Sequence, residues 1–127
     1  FRSYTKSKEL VAAANQAITE AKDAAAAAKE AAKTAANASL AAAKTALDAA
    51  STAMADLGKC RRQPKDFKKD MEAMKGNYDG LAAQVGGIES AIASEDYRGA
   101  KAQGDSLKSS VDMLVSDLQG AKVKIKC

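Results

Sequence analysis

Apolar side chains recur at every third or fourth position through the first half of the chain: Leu10, Ala14, Ile18, Ala21, Ala25, Ala28, Ala32, Ala36, Leu40, Ala43, Leu47, Ala50, Met54 and Leu57. Steps of three and four keep side chains on one face of a 3.6-residue turn, so the pattern predicts one amphipathic helix over about 5–57. Thr5 or Ser7 offers a hydroxyl that can cap its first amides, and Gly58 is the expected stop. Large residues mark the two ends of the stripe and alanine fills its middle. Alanine loses no side-chain entropy on entering a helix, so the run favours a long rod.

A second seam, Phe67, Met71, Met74, Tyr78, Leu81, Val85, Ile88 and Ile92, alternates steps of four and three without exception. That heptad spacing predicts a helix over about 64–93, with Pro64 in its first turn, packed in coiled-coil fashion. The glycines at 76 and 80 mark where a break would fall; the undisturbed seam argues for continuity. A strip of small residues, Gly76, Gly80, Ala83, Gly87 and Ser90, offers a face on which the alanine-rich helix can dock closely. After a turn at Ser94-Glu95-Asp96, a third seam runs through Tyr97, Ala100, Gly104, Leu107, Val111, Leu114, Leu118, Ala121 and Ile125, predicting a helix over about 95–126. The expected fold is all-α: an up-down-up antiparallel three-helix bundle or coiled coil, one elongated domain over 1–127.

At 1.5 Å per residue the first helix measures about 75 Å and the other two roughly 40 to 47 Å. The hairpin therefore covers only the half of the first helix nearest Gly58. Residues before about Ala28 project, and projecting coiled-coil ends predict self-association as a dimer or a helical protein partner. The cysteines agree with this topology. Cys60 follows the first helix and Cys127 ends the third, which puts both at one pole and predicts a Cys60–Cys127 disulfide. The same pole gathers Lys59, Arg61, Arg62, Lys65, Lys68 and Lys69 with Lys122, Lys124 and Lys126, a basic cap that could grip an anionic partner.

Composition narrows the chemistry. The 127 residues carry a net charge of +4 and no histidine or tryptophan. Without histidine the commonest general base and metal ligand is missing, and no thiol has an imidazole to activate it. The segment 80–87, GLAAQVGG, lacks the lysine and the strand-to-helix setting of a phosphate loop. Asp66, Asp70 and Glu72 stand at helical spacing from lysines and read as surface ion pairs. No catalytic residue, metal site or cofactor is assigned, and an enzyme is not expected. Nucleic-acid binding is disfavoured because Phe67 alone supplies an aromatic among the basic residues. No apolar run approaches the roughly 18 residues of a membrane span. A start at Phe1 rather than Met reads as processing or trimming, and with the disulfide it points outside the cytoplasm, to a periplasmic or secreted protein. Asn37-Ala38-Ser39 matches a glycosylation sequon but lies within the predicted rod.

Opposite the buried stripe runs a line of small, weakly polar residues: Ala27, Ala31, Thr34, Ala38, Ala42, Thr45, Ala49 and Ala53. A solvent face normally carries lysine and glutamate. Here Lys22, Lys29, Glu30, Lys33, Lys44 and Asp48 crowd one flank instead. Thr34-Ala35-Ala36-Asn37-Ala38 followed by Thr45-Ala46 resembles the eleven-residue Thr/Ala repeat of type I fish antifreeze helices. That resemblance implies an ice-binding face of Thr34, Ala38, Ala42, Thr45 and Ala49, flanked by Ala27 and Ala31. The segment 21–33 is also similar to the Ala/Lys/Glu eleven-mers of group 3 late-embryogenesis-abundant proteins, which implies desiccation protection. As a whole the chain looks like an alanine-rich helical protein of a bacterial envelope, with SEDYRGA at 94–100 the kind of helix-helix turn common there.

The expected function is a non-enzymatic structural or interaction module, a helical spacer or assembly surface. Ice binding is the alternative and stress protection the lesser one.

Overall fold

The computed structural model describes residues 2–127, with side chains from Ser3 onward; Phe1, on which the reading of a processed terminus rests, lies outside the described residues. All regular structure among these residues is helical, in four segments: α1 (Arg2–Gly58), α2 (Phe67–Ala82), α3 (Val85–Ala93) and α4 (Tyr97–Lys124). Among the described residues there is no strand.

The rod starts earlier than Thr5 or Ser7 predicts, and Ser7 is not its cap. The Ser7 hydroxyl lies inside α1 and donates to the Ser3 carbonyl at 2.9 Å, the back-bond a serine makes within a helix. With 57 residues α1 is about 85 Å long. It closes at Gly58 as expected, but through tightened turns (Lys59 N–H to Asp56 O and Cys60 N–H to Leu57 O, both 3.2 Å). No glycine in the described residues takes a positive φ, so Gly58 stops the helix without a left-handed residue.

The second predicted helix is shorter at its start and interrupted inside. Pro64 does not open it. The Pro64 carbonyl accepts from Phe67 N–H at 2.9 Å, forming a turn ahead of α2, whose N-cap is Asp66. The interruption falls at Ala83-Gln84, not at Gly76–Gly80. Both residues keep right-handed dihedrals, and Gln84 N–H bonds to Leu81 O at 3.0 Å, a locally tightened turn. Gly76 and Gly80 sit inside unbroken helix, whereas Gly86 and Gly87 come together just as α3 restarts and weaken its first turn. The seam still runs through: Phe67, Leu81 and Ile88 are buried, and Met71, Met74, Tyr78, Val85 and Ile92 half-buried.

The turn between α3 and α4 has a definite form. Asp96 N–H reaches back to Ala91 O at 2.8 Å, Glu95 N–H to Ile92 O at 3.0 Å, and Glu95 takes a left-handed φ of 63°. This is the six-to-one and five-to-two pairing that ends many helices, normally built on glycine. The Asp96 carboxylate then accepts from Gly99 N–H at 3.1 Å and caps α4. The end of α4 repeats the arrangement: Cys127 N–H bonds to Lys122 O and Lys126 N–H to Val123 O, with Lys126 at φ 55°.

The most extensive interface joins α1 and α4. Lys29 meets Glu95, Ser39 meets Asp105, and Cys60 meets Cys127, at sequence separations of 66, 66 and 67. A constant offset means that the two helices lie side by side and run the same way. The core is thin. From α1 it takes Ala36, Ala43, Ala46, Leu47, Ala50 and Leu57; from α4 it takes Tyr97, Ala100, Leu107, Val111, Leu114 and Leu118. Alanine on one side against leucine and valine on the other brings the axes close together.

The two helices approach closely at Gly104. A methyl group built there would stand 2.9 Å from the Ser39 Cβ and 3.1 Å from its backbone carbon. The small strip predicted for that role is elsewhere: Gly76, Gly80, Ala83, Gly87 and Ser90 are all exposed, and a Cβ on Gly76 or Gly80 would meet nothing within 4 Å. The heptad seam of α2 and α3 faces the core, so the strip beside it turns to solvent.

Candidate functional site

Three surfaces remain outside the core. The first is the free half of α1. Every residue from 3 to 31 is exposed, and burial begins at Ala32. The stripe traced from Leu10 is therefore a core face only in its second half. In its first half Leu10 stays 63% and Ile18 53% exposed, alongside Tyr4 at 73% and Val11 at 60%. Tyr4 and Val11 are absent from the predicted stripe. The signal that finds them is a strict seven-residue column, Tyr4, Val11, Ile18 and Ala25, which continues into the half-buried Ala32 and the buried Ser39 and Ala46.

The second surface is the Thr/Ala line. Ala27, Ala31, Thr34, Ala38, Thr45 and Ala49 are exposed, while Ala42 and Ala53 are half-buried, so the line grazes the edge of the bundle instead of lying squarely opposite it. Asn37 and Ser39, from the sequon, sit mid-helix. The Asn37 amide donates to Lys33 O at 3.0 Å, and Ser39 is 8% exposed.

The charged flank of α1 has specific partners. Lys29 pairs with Glu95 at 3.0 Å and Lys44 with Glu89 at 3.2 Å. The hydrogen bond to Glu95, and then its charge, raise the Lys29 pKa above the usual lysine value. Ser39 donates to Asp105 at 2.7 Å, and Lys101 to the other oxygen of the same carboxylate at 2.7 Å. These bonds, Lys101 first and Ser39 second, hold the Asp105 pKa below the ordinary carboxylate range. Among the described residues Asp66, Asp70 and Glu72 are not in the ion pairs expected of them; the pairs at four-residue spacing, Lys101–Asp105 and Lys108–Asp112, are on α4.

The third surface is the pole where Cys60 and Cys127 meet at bonding distance, their Cα atoms 5.5 Å apart. Lys59, Arg61, Arg62, Lys65, Lys68, Lys69, Lys122, Lys124 and Lys126 are all exposed there. Among the described residues none of them is in an ion pair. Between the 59–66 connector, the start of α2 and the end of α4 lies a groove of about 810 Å³. Its cationic wall was legible as a charge run. Its apolar floor was not, because those residues belong to seams that the sequence assigns to the core.

Among the described residues, no helix is long and apolar enough to cross a membrane, and no group of three or more His, Cys, Asp and Glu side chains is placed to hold a metal ion. Comparison with protein-family models, with curated proteins and with solved structures gives no match.

Proposed function

We propose that this chain is a non-enzymatic helical assembly module: an up-down-up three-helix bundle from which the first half of α1 projects as a pairing arm. The observation that carries this reading is the column of exposed Tyr4, Val11 and Ile18 at seven-residue spacing. Large apolar side chains on a solitary solvated helix gain nothing from water. At heptad spacing they form the knob positions of a coiled coil. A second copy is the simplest partner, giving an elongated dimer whose bundles sit at its ends or side by side. The Cys60–Cys127 bridge supports a place in an oxidising, extracytoplasmic compartment, periplasmic or secreted. Sedimentation equilibrium over a hundredfold range of concentration tests the pairing. The parent protein is expected to associate, and Val11→Asp with Ile18→Asp to abolish association while leaving the bundle folded. A parent that stays monomeric throughout removes self-association.

One observation favours a second reading. Thr34, Ala38, Thr45 and Ala49 are exposed along one line of the helix, four of the five positions the antifreeze resemblance names, with Ala42 between them half-buried. Thermal hysteresis and faceted ice crystals, both lost in Thr34→Lys with Thr45→Lys, would establish it. Their absence in the parent protein removes it.

A further inference from the structure

We propose that the groove at the cysteine-bridged pole binds a single-chain anionic amphiphile, an alkyl chain carrying a carboxylate or similar head group. The site is independent of whether the arm pairs. Its floor is Leu57 from the end of α1, Phe67, Met71 and Met74 from α2, and Ala121 and Ile125 from α4. Leu57 and Phe67 are buried and the other four half-buried, so the seams of α2 and α4 part here and leave their apolar flanks partly wet. Here the bridge holds the end of α4 to the end of α1, and the 59–66 connector leads through the turn at Pro64 into α2. The volume, about 810 Å³, lies in the range of sites that take small ligands. Methionine is unbranched and polarisable, and adapts to a flexible chain.

Charge selects the head group. Arg62, Lys65, Lys124 and Lys126 line the same groove, against the carboxylates Asp66 and Asp70. All four cations are exposed and, among the described residues, without an ion pair. The apolar lining is buried or half-buried and the cations are exposed, which suits a chain end on the floor and an anion at the mouth. A bilayer surface needs the reverse, apolar groups standing proud of the cations. An inorganic anion alone would leave the floor unused.

Calorimetric titration of the intact, bridged protein tests this, using dodecanoate, decanoate and octanoate below their micellar concentrations. Saturable one-to-one binding is expected, tightening about two- to fourfold per added methylene. In methyl spectra, Met71 and Met74 are expected to shift while exposed Met113 does not. Dodecyltrimethylammonium, the same chain with the opposite charge, is expected to bind at least tenfold more weakly. Lys124→Glu with Lys126→Glu, both exposed and at the chain end, is expected to weaken dodecanoate roughly tenfold and erase that preference, with unchanged helicity. The proposal is overturned if the cationic amphiphile binds equally well, if inorganic phosphate binds as tightly as dodecanoate, if binding is seen only to vesicles of phosphatidylglycerol and phosphatidylcholine, or if Met71 and Met74 do not respond.

Discussion

The same substitution, glycine to alanine, should change sign with position on this protein. At Gly80, exposed and inside α2, an added Cβ meets nothing within 4 Å. Alanine there gains helix propensity and restricts the unfolded chain, a stabilisation of about 1 kcal/mol. At Gly104 the propensity gain is the same, but the new methyl lies 2.9 Å from the Ser39 Cβ and 3.1 and 3.3 Å from its backbone carbon and oxygen. Backbone atoms in the middle of an 85 Å helix cannot step aside, so α1 and α4 must separate by a few tenths of an ångström. Overpacking of this kind costs about 1–3 kcal/mol. The net for Gly104→Ala is a loss of about 1 kcal/mol, which leaves the two variants about 2 kcal/mol apart. Urea unfolding followed by circular dichroism resolves that difference, and melting temperatures should separate by several degrees. Ser39→Gly, made in the Gly104→Ala background, removes the first of the clashing atoms and should cost less there than it does in the parent. If Gly104→Ala stabilises as much as Gly80→Ala, or if the pair shows no coupling, the close approach of α1 and α4 at this point is wrong.

Three further outcomes follow from the same structure. Replacing Cys60 and Cys127 with serine opens a loop spanning 67 residues and should lower stability by about 4 kcal/mol in the chain-entropy model, measured by urea titration against the oxidised parent. Asp105 binds its proton more weakly folded than unfolded, so its contribution is present above the ordinary carboxylate pKa and lost as pH falls through about 4 and below; Asp105→Asn should flatten the acid limb of a melting-temperature profile. Hydrogen exchange, measured at a concentration where the arm is unpaired, should divide α1 in two, with fast exchange over residues 3–31 and slow exchange over 36–57; uniform protection along the rod would contradict the exposure of the arm.

The helical character of the chain was readable because each seam repeats at threes and fours and alanine raises propensity along half its length. The meeting of Cys60 with Cys127 followed from counting helices. Element ends were less legible. Pro64 is compatible with the first turn of a helix and with the turn before one, and the Phe67 N–H to Pro64 O bond selects the latter. The break at Ala83-Gln84 has no glycine or proline in it, so propensity pointed to the wrong pair of residues. Glu95 and Lys126 take left-handed turns that composition assigns to glycine.

The candidate surfaces divide in the same way. Charge at the pole and the Thr/Ala line are properties of residue type and spacing, which the sequence by itself determined. Helix lengths counted along the sequence already put the covered half of α1 next to Gly58, and the structure sets its edge at Ala32; tertiary structure alone decided where α1 and α4 touch and that the seams of α2 and α4 part over a groove. A periodic pattern states that a face is apolar; it carries no information about what lies against that face. Burial depends on the offset and separation of helices distant in sequence, and only packing sets these.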